Sequence, residues 1–179
     1  MRRSHLPPPP DRTPPNRPSP NHTPARYCRD VPTEPLRCAG ALIVGDDGRI
    51  FFQRRSPQRR LFPDCWDIVG GHLEPGEEIQ DALRREVTEE TGWSVAEVLG
   101  PVGEYRYTGD DGLTRVESDF LVRVDGDLAH PRLEEGKHTE FRWLAEDEVG
   151  LLDEHRHVND GLIRRIAEDA FAALRAIGR

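Results

Sequence analysis

The sequence predicts an α/β domain in which a mixed sheet carries a central helix on one face and a C-terminal helix on the other. Three observations support this. Short apolar runs bounded by turn residues recur between residues 39 and 144, as strands do. Two other stretches, residues 78–91 and 160–178, repeat their apolar positions every three or four residues, as amphipathic helices do. One of these helices lies among the strands and the other follows them, an order that suits a sheet covered on both sides.

The N-terminal part stands apart. Eleven of the sixteen prolines fall in the first 35 residues, so residues 1–36 are expected to form a disordered or polyproline-like tail and residues 37–179 the folded domain. The tail has no apolar core of a secretory signal, and no run in the chain is long and apolar enough to span a membrane. Charge divides in the same place: residues 1–37 carry +4 and the remainder −12, together the net −8. A domain this acidic does not suit the backbone of a nucleic acid. It can still take a small phosphate compound through a metal ion. The three cysteines, Cys28, Cys38 and Cys65, form an odd set with no C-x-x-C spacing. That argues against a disulfide framework or a structural zinc site and for a reducing, cytoplasmic setting.

Within the domain, "RCAGALIVGDDGRIFFQRR" reads as a hairpin turning at Asp46-Asp47-Gly48. Residues 54–64 form a polar loop, and "WDIV" a short strand running into Gly70-Gly71. An acidic helix follows, with Gly92 as its C-terminal cap. Two longer strands then flank Gly109-Asp110-Asp111-Gly112. "EFRWL" is a short strand, "AEDEV" a helical turn, and the C-terminal helix presents Ile163, Ile166, Ala170, Leu174 and Ile177 on one face.

The acidic helix breaks the usual rule. With Ile79 set at zero and about 100° per residue, Leu83 lies near 40° and Val87 near 80°. Glu86 falls at about 340° and Glu90 at about 20°, inside this apolar stripe, with Glu89 at about 280° on its edge. Burying ionised carboxylates without partners costs several kcal/mol each. Either the charges sit at a solvated helix end, or a cation neutralises them. Carboxylates at i, i+3 and i+4 are close enough to share one ion, and all-oxygen ligands favour Mg²⁺, then Mn²⁺.

Gly71, five residues, Glu77, seven residues and then "REVTEETGW" at 85–93 resemble the complete Nudix box, G-x5-E-x7-R-E-U-x-E-E-x-G-U with U a bulky apolar residue. Seven fixed identities and two apolar positions match. The resemblance implies a Nudix-type α/β/α sandwich over roughly residues 37–179. It also implies roles: Glu86, Glu89, Glu90 and the main-chain carbonyl of Gly70 as metal ligands, and Glu77 with Arg85 as a supporting ion pair. Gly71 gives the backbone close approach to metal and phosphates, and Gly92 closes the helix.

The implied reaction is hydrolysis of a diphosphate bond in a nucleoside diphosphate linked to another group. The carboxylate that takes the water's proton is Glu134 or Glu135, in "RLEEGKHTEFRW", or Glu86 itself. The implied substrate is a small nucleotide or related diphosphate, and a homodimer is left open. Subfamily marks are missing. Gly109 stands where ADP-ribose hydrolases have proline, the S-Q-P-W-P-F-P run of NADH hydrolases is absent, and only "RRS" echoes the coenzyme A motif. Elimination leaves a nucleoside triphosphate or small nucleotide derivative, giving the monophosphate and pyrophosphate. Arg54 and Arg55 are candidates to contact phosphate, and Tyr105, Tyr107 or Phe120 to stack on a base. Two rival readings are an inactive Nudix-like binding domain, which would be expected to lose box carboxylates, and an enzyme of the isopentenyl diphosphate isomerase type. The isomerase's catalytic Cys position is here a glycine of "WDIVGGHLEP".

Overall fold

The computed structural model describes residues 34–156 and 161–178. The predicted character of the Pro-rich segment, and Cys28, lie outside these residues. β1 (Leu36–Ile43) runs through the middle of a four-stranded mixed sheet. It is parallel to β6 (Thr114–Asp125) and antiparallel to β4 (Val69–His72), and β5 (Ser94–Thr108) pairs antiparallel with the far edge of β6.

Side-chain alternation sorts the two faces of this sheet. Ala39, Ala41 and Ile43 of β1 and Val122 of β6 pack with Ala82, Leu83 and Val87 of α1 (Ile79–Thr91). Leu42 and Leu121 point the other way, into a core completed by Leu162, Ile163, Ile166 and Phe171 of α2 (Leu162–Ile177). Each fully buried Leu or Ile contributes roughly 1.5–3 kcal/mol relative to exposure. The mixed sheet between two helices matches the sequence reading.

A second sheet does not appear in that reading. β2 (Ile50–Arg55) lies between β3 (Trp66–Asp67) and β7 (His138–Leu144) in a three-stranded antiparallel sheet. The expected hairpin is corrected accordingly. The chain does turn at Gly48, which adopts φ 79°, but β1 and β2 share only the bridge between Val44 and Ile50 and then diverge. Both strands are buried along most of their length, and each has its edges occupied by other partners. "WDIV" is likewise two strands rather than one. Trp66 and Asp67 pair with β2, whereas Val69 to His72 pair with β1, so Ile68 carries the chain from one sheet to the other.

The helical turn read at "AEDEV" extends as a 3-10 helix over Glu146–Asp153, adding Val149 and Leu152 to the α2-side core. α2 buries Ile163, Ile166 and Ala170 as expected, but its last turn passes the core and leaves Ile177 49% exposed. Among the described residues, no helix is long and apolar enough to cross a membrane.

Candidate active site

α1 starts after Glu78, which caps it in an extended conformation, and ends where Gly92 takes φ 75° and its N–H bonds to the Thr88 carbonyl. Its buried face consists of Ala82, Leu83, Glu86, Val87, Glu90 and Thr91. The two carboxylates read as inward are therefore inward, and Glu89 stays half exposed.

Glu90 is held from two sides. The Gln53 side-chain amide donates to its Oε2 at 2.6 Å, and the Gly70 N–H donates to the same oxygen at 3.2 Å. Burial nevertheless pushes its pKa up to about 8, against the lowering effect of those two donors. The His138 ring lies 3.8 Å from the other oxygen. Burial and nearby Arg55 lower the His138 pKa to about 3, so the ring is neutral and this contact is not an ion pair. Both His138 nitrogens are buried without a hydrogen-bond partner. Glu86 is also pushed up by burial, with Arg85 opposing.

Arg85 organises the rest. Its Nε and Nη2 donate to the two oxygens of Glu77 at 2.9 Å each, and Nη2 also reaches the His72 carbonyl at 3.1 Å. Its Nη1 donates to Glu86 at 2.6 Å and to Glu89 at 3.3 Å. The Glu77 carboxyl is held down near 2, chiefly by this bond to Arg85. One guanidinium thus ties the loop before α1 to β4 and partly neutralises two helix carboxylates.

The glycines of β4 explain themselves sterically. A Cβ on Gly71 would overlap the Glu86 carboxylate, and one on Gly70 would press on the Ala39 carbonyl.

The donor set suits a divalent metal, with Glu86, Glu89 and Glu90 offering hard oxygens on one side of α1. Burial raises the carboxyls of Glu86 and Glu90, with Glu89 adding to the first and Glu86 to the second, so a bound cation would relieve both. Among the described residues, no three acidic, His or Cys side chains already converge on one point. Glu86 and Glu89 turn to Arg85 and Glu90 to Gln53.

Beyond β4 a cavity opens on the opposite, α2-facing side of the sheet. Gly70, Gly71, His72, Arg55, Arg59, Asp67, Tyr107, Arg115 and Glu117 are among the residues that line it. Of the two arginines read as phosphate contacts, Arg55 lies here, bonded to Asp67 at 3.2 Å and to the Leu61 carbonyl at 3.0 Å. Arg54 does not line it. It pairs with Asp64 at 2.9 Å and Glu140 at 3.6 Å, the ladder to β7 shifting register between Arg54 and Arg55. Of the stacking candidates Tyr107 reaches the cavity, Tyr105 is committed to Asp169 at 2.7 Å, and Phe120 packs on the α1 side. Glu134 pairs with Lys137 at 2.6 Å, and Glu135 is exposed.

The sequence reading missed several members. Gln53, fully buried, interrupts the apolar run "IFFQ", which is a legible sign of a buried polar contact. Glu117 and Asp119 sit on β6 facing the α2 side, and both oxygens of fully buried Asp119 lack a hydrogen-bond partner. Burial and mutual repulsion with Asp67 keep both carboxyls well above the usual range. Alternation alone cannot separate this from a solvated strand face.

A family model described as the NUDIX domain matches residues 34–166. The chain belongs to the Nudix hydrolase family. An uncharacterized Nudix hydrolase of Nostoc sp. is 38% identical over 119 residues, spanning 64% of this chain and 66% of that one. An isopentenyl-diphosphate Delta-isomerase of Mycolicibacterium vanbaalenii is 33% identical over 140 residues, 66% of this chain and 77% of its own. The nucleoside triphosphatase NudI of Salmonella agona is 29% identical over 121 residues, 62% and 83%. In structure, a NUDIX hydrolase from Nitrosomonas europaea superposes with a TM-score of 0.64 at 27% identity, covering 78% of this chain and 90% of that one.

Proposed function

We propose that this Nudix hydrolase cleaves a diphosphate bond in a small nucleotide, with a nucleoside triphosphate as the leading substrate and the monophosphate and pyrophosphate as products. The observation that carries the reading is the placement of Glu86 and Glu90 on the buried face of α1 with Glu89 at its edge. Mg²⁺, with Mn²⁺ as a substitute, would be held by Glu86, Glu89, Glu90 and the Gly70 carbonyl, and would supply charge neutralisation and an acidified water.

The chain's own residues do the remaining work. Arg85 and Glu77 fix the loop that carries the box, Gly70 and Gly71 admit phosphate close to the backbone, and Arg55 lines the path toward it. Glu86 or Glu134 accepts the water's proton. Glu135, exposed on the same loop, is the further candidate. The similarity to the nucleoside triphosphatase supports the substrate class.

The similarity to the isomerase supports a second reading. Against it, Gly70 and Gly71 stand where the isomerase motif has its two adjacent cysteines, the catalytic one included. The Cys65 thiol donates to the Pro63 and His155 carbonyls rather than lining the cavity. The folded hydrolase is taken to span residues 37–179 and to act on small molecules in the cytoplasm, with residues 1–36 dispensable. The test is a screen of the purified protein against nucleoside triphosphates, nucleotide sugars and isopentenyl diphosphate with Mg²⁺, reading phosphate, pyrophosphate and isomer. Turnover of a nucleotide supports the proposal, and isomerisation without hydrolysis replaces it.

A further inference from the structure

Arg59 differs from the other cationic side chains around the cavity. Arg55 is bonded to Asp67 and Leu61, Arg115 to Asp111 and His72, and Arg156 to the Trp66 carbonyl. Arg59 lines the same cavity, yet its guanidinium makes no hydrogen bond or ion pair among the described residues. It is only partly exposed, and its charge is disfavoured by burial and by neighbouring Arg55. Gly70 and Gly71 of the box line the same cavity.

Its backbone, by contrast, is fixed. The Arg59 N–H donates to the Ser56 carbonyl at 3.0 Å, and the Ser56 N–H donates to the Lys137 carbonyl at 2.8 Å beside β7. A preformed turn therefore presents a partly buried, uncommitted guanidinium to the cavity that the box glycines also line. Such a group lacks an anion, and its planar fork matches phosphate oxygens.

We propose that Arg59 binds the pyrophosphate portion of the substrate where this cavity meets the box glycines. This deepens the hydrolase reading by assigning a phosphate-binding residue to the cavity, so the experiment reads binding rather than turnover. Binding of inorganic pyrophosphate to the full chain is measured by calorimetry with Mg²⁺ present, for the parent and for Arg59→Gln, Arg59→Lys and Arg60→Gln. Arg60 is exposed and does not line the cavity, so its variant controls for loss of one nearby charge. Arg59→Gln should weaken binding on the order of tenfold or more, the loss of a charge-assisted hydrogen bond. Arg59→Lys should recover part of it, Arg60→Gln should match the parent, and all melting temperatures should agree. Absence of pyrophosphate binding in the parent, equal binding by Arg59→Gln, or an equal loss in Arg60→Gln would overturn the assignment. If the hydrolase reading fails instead, the parent turns over no diphosphate while these binding differences persist.

Discussion

Gln53 of β2 and Glu90 of α1 meet 2.6 Å apart, so the antiparallel sheet and the box helix are joined by a buried hydrogen bond from amide to carboxyl. With the Gly70 N–H on the same oxygen, this bond sets the direction of Glu90. Gln53→Leu removes one donor and leaves the carboxyl with a single partner in a buried site. The expected loss is about 1–3 kcal/mol of stability. Urea denaturation of the two proteins in EDTA checks it, and an unchanged midpoint would count against the bond.

The buried Glu90 carboxyl is held at the expense of stability. Its folded-state pKa, about 8, is raised above the ordinary carboxyl value of 4.5. Between these values the folded protein holds a proton that the unfolded chain has released, so this group's contribution to stability falls as pH rises from about 4.5 to 8. Above 8 the penalty is complete, on the order of a few kcal/mol. In EDTA, Glu90→Gln should therefore melt higher than the parent at pH 9 and alongside it at pH 4, while losing turnover by several orders of magnitude. A variant that melts lower at pH 9 would show that Glu90 carries no such penalty.

Glu77 and Glu90 should fail differently. Glu77 grips Arg85 through both oxygens and is not among the proposed metal ligands. Glu77→Gln should lower the melting temperature and cost far less rate than Glu90→Gln. Equal rate losses in steady-state assays would remove the distinction between support and ligand.

Much of this was legible in the residues. The helical positions of Glu86 and Glu90 follow from periodicity, because a 3.6-residue repeat fixes which side chains share a face. The split of "WDIV" at Ile68 was not legible, since an apolar run carries no mark of which neighbour each end will pair with. Arg54 and Arg55 looked equivalent, and only the placement of β2 between β3 and β7 sends one to Asp64 and the other into the cavity. Asp119 reads as a surface strand residue. Its burial depends on α2 closing over β6, a contact between distant parts of the chain.

Gly71 tests how closely β4 must approach the helix. A Cβ there would overlap the Glu86 carboxylate and displace it. Gly71→Ala should fold, yet lose the rise in melting temperature that Mg²⁺ gives the parent by binding the native state. An undiminished Mg²⁺-dependent rise, read by differential scanning calorimetry, would show that Glu86 is not positioned by this contact.

In the proposed reaction the α1 carboxylates hold a divalent ion without which the diphosphate bond is not cleaved. Phosphorus NMR on the full chain with a nucleoside triphosphate, once with Mg²⁺ and once in excess EDTA, addresses it most directly. Monophosphate and pyrophosphate signals should grow together with Mg²⁺, with no early orthophosphate and no change in EDTA. Undiminished turnover in EDTA would contradict the metal site, and nucleoside diphosphate appearing with orthophosphate would contradict the bond proposed to break.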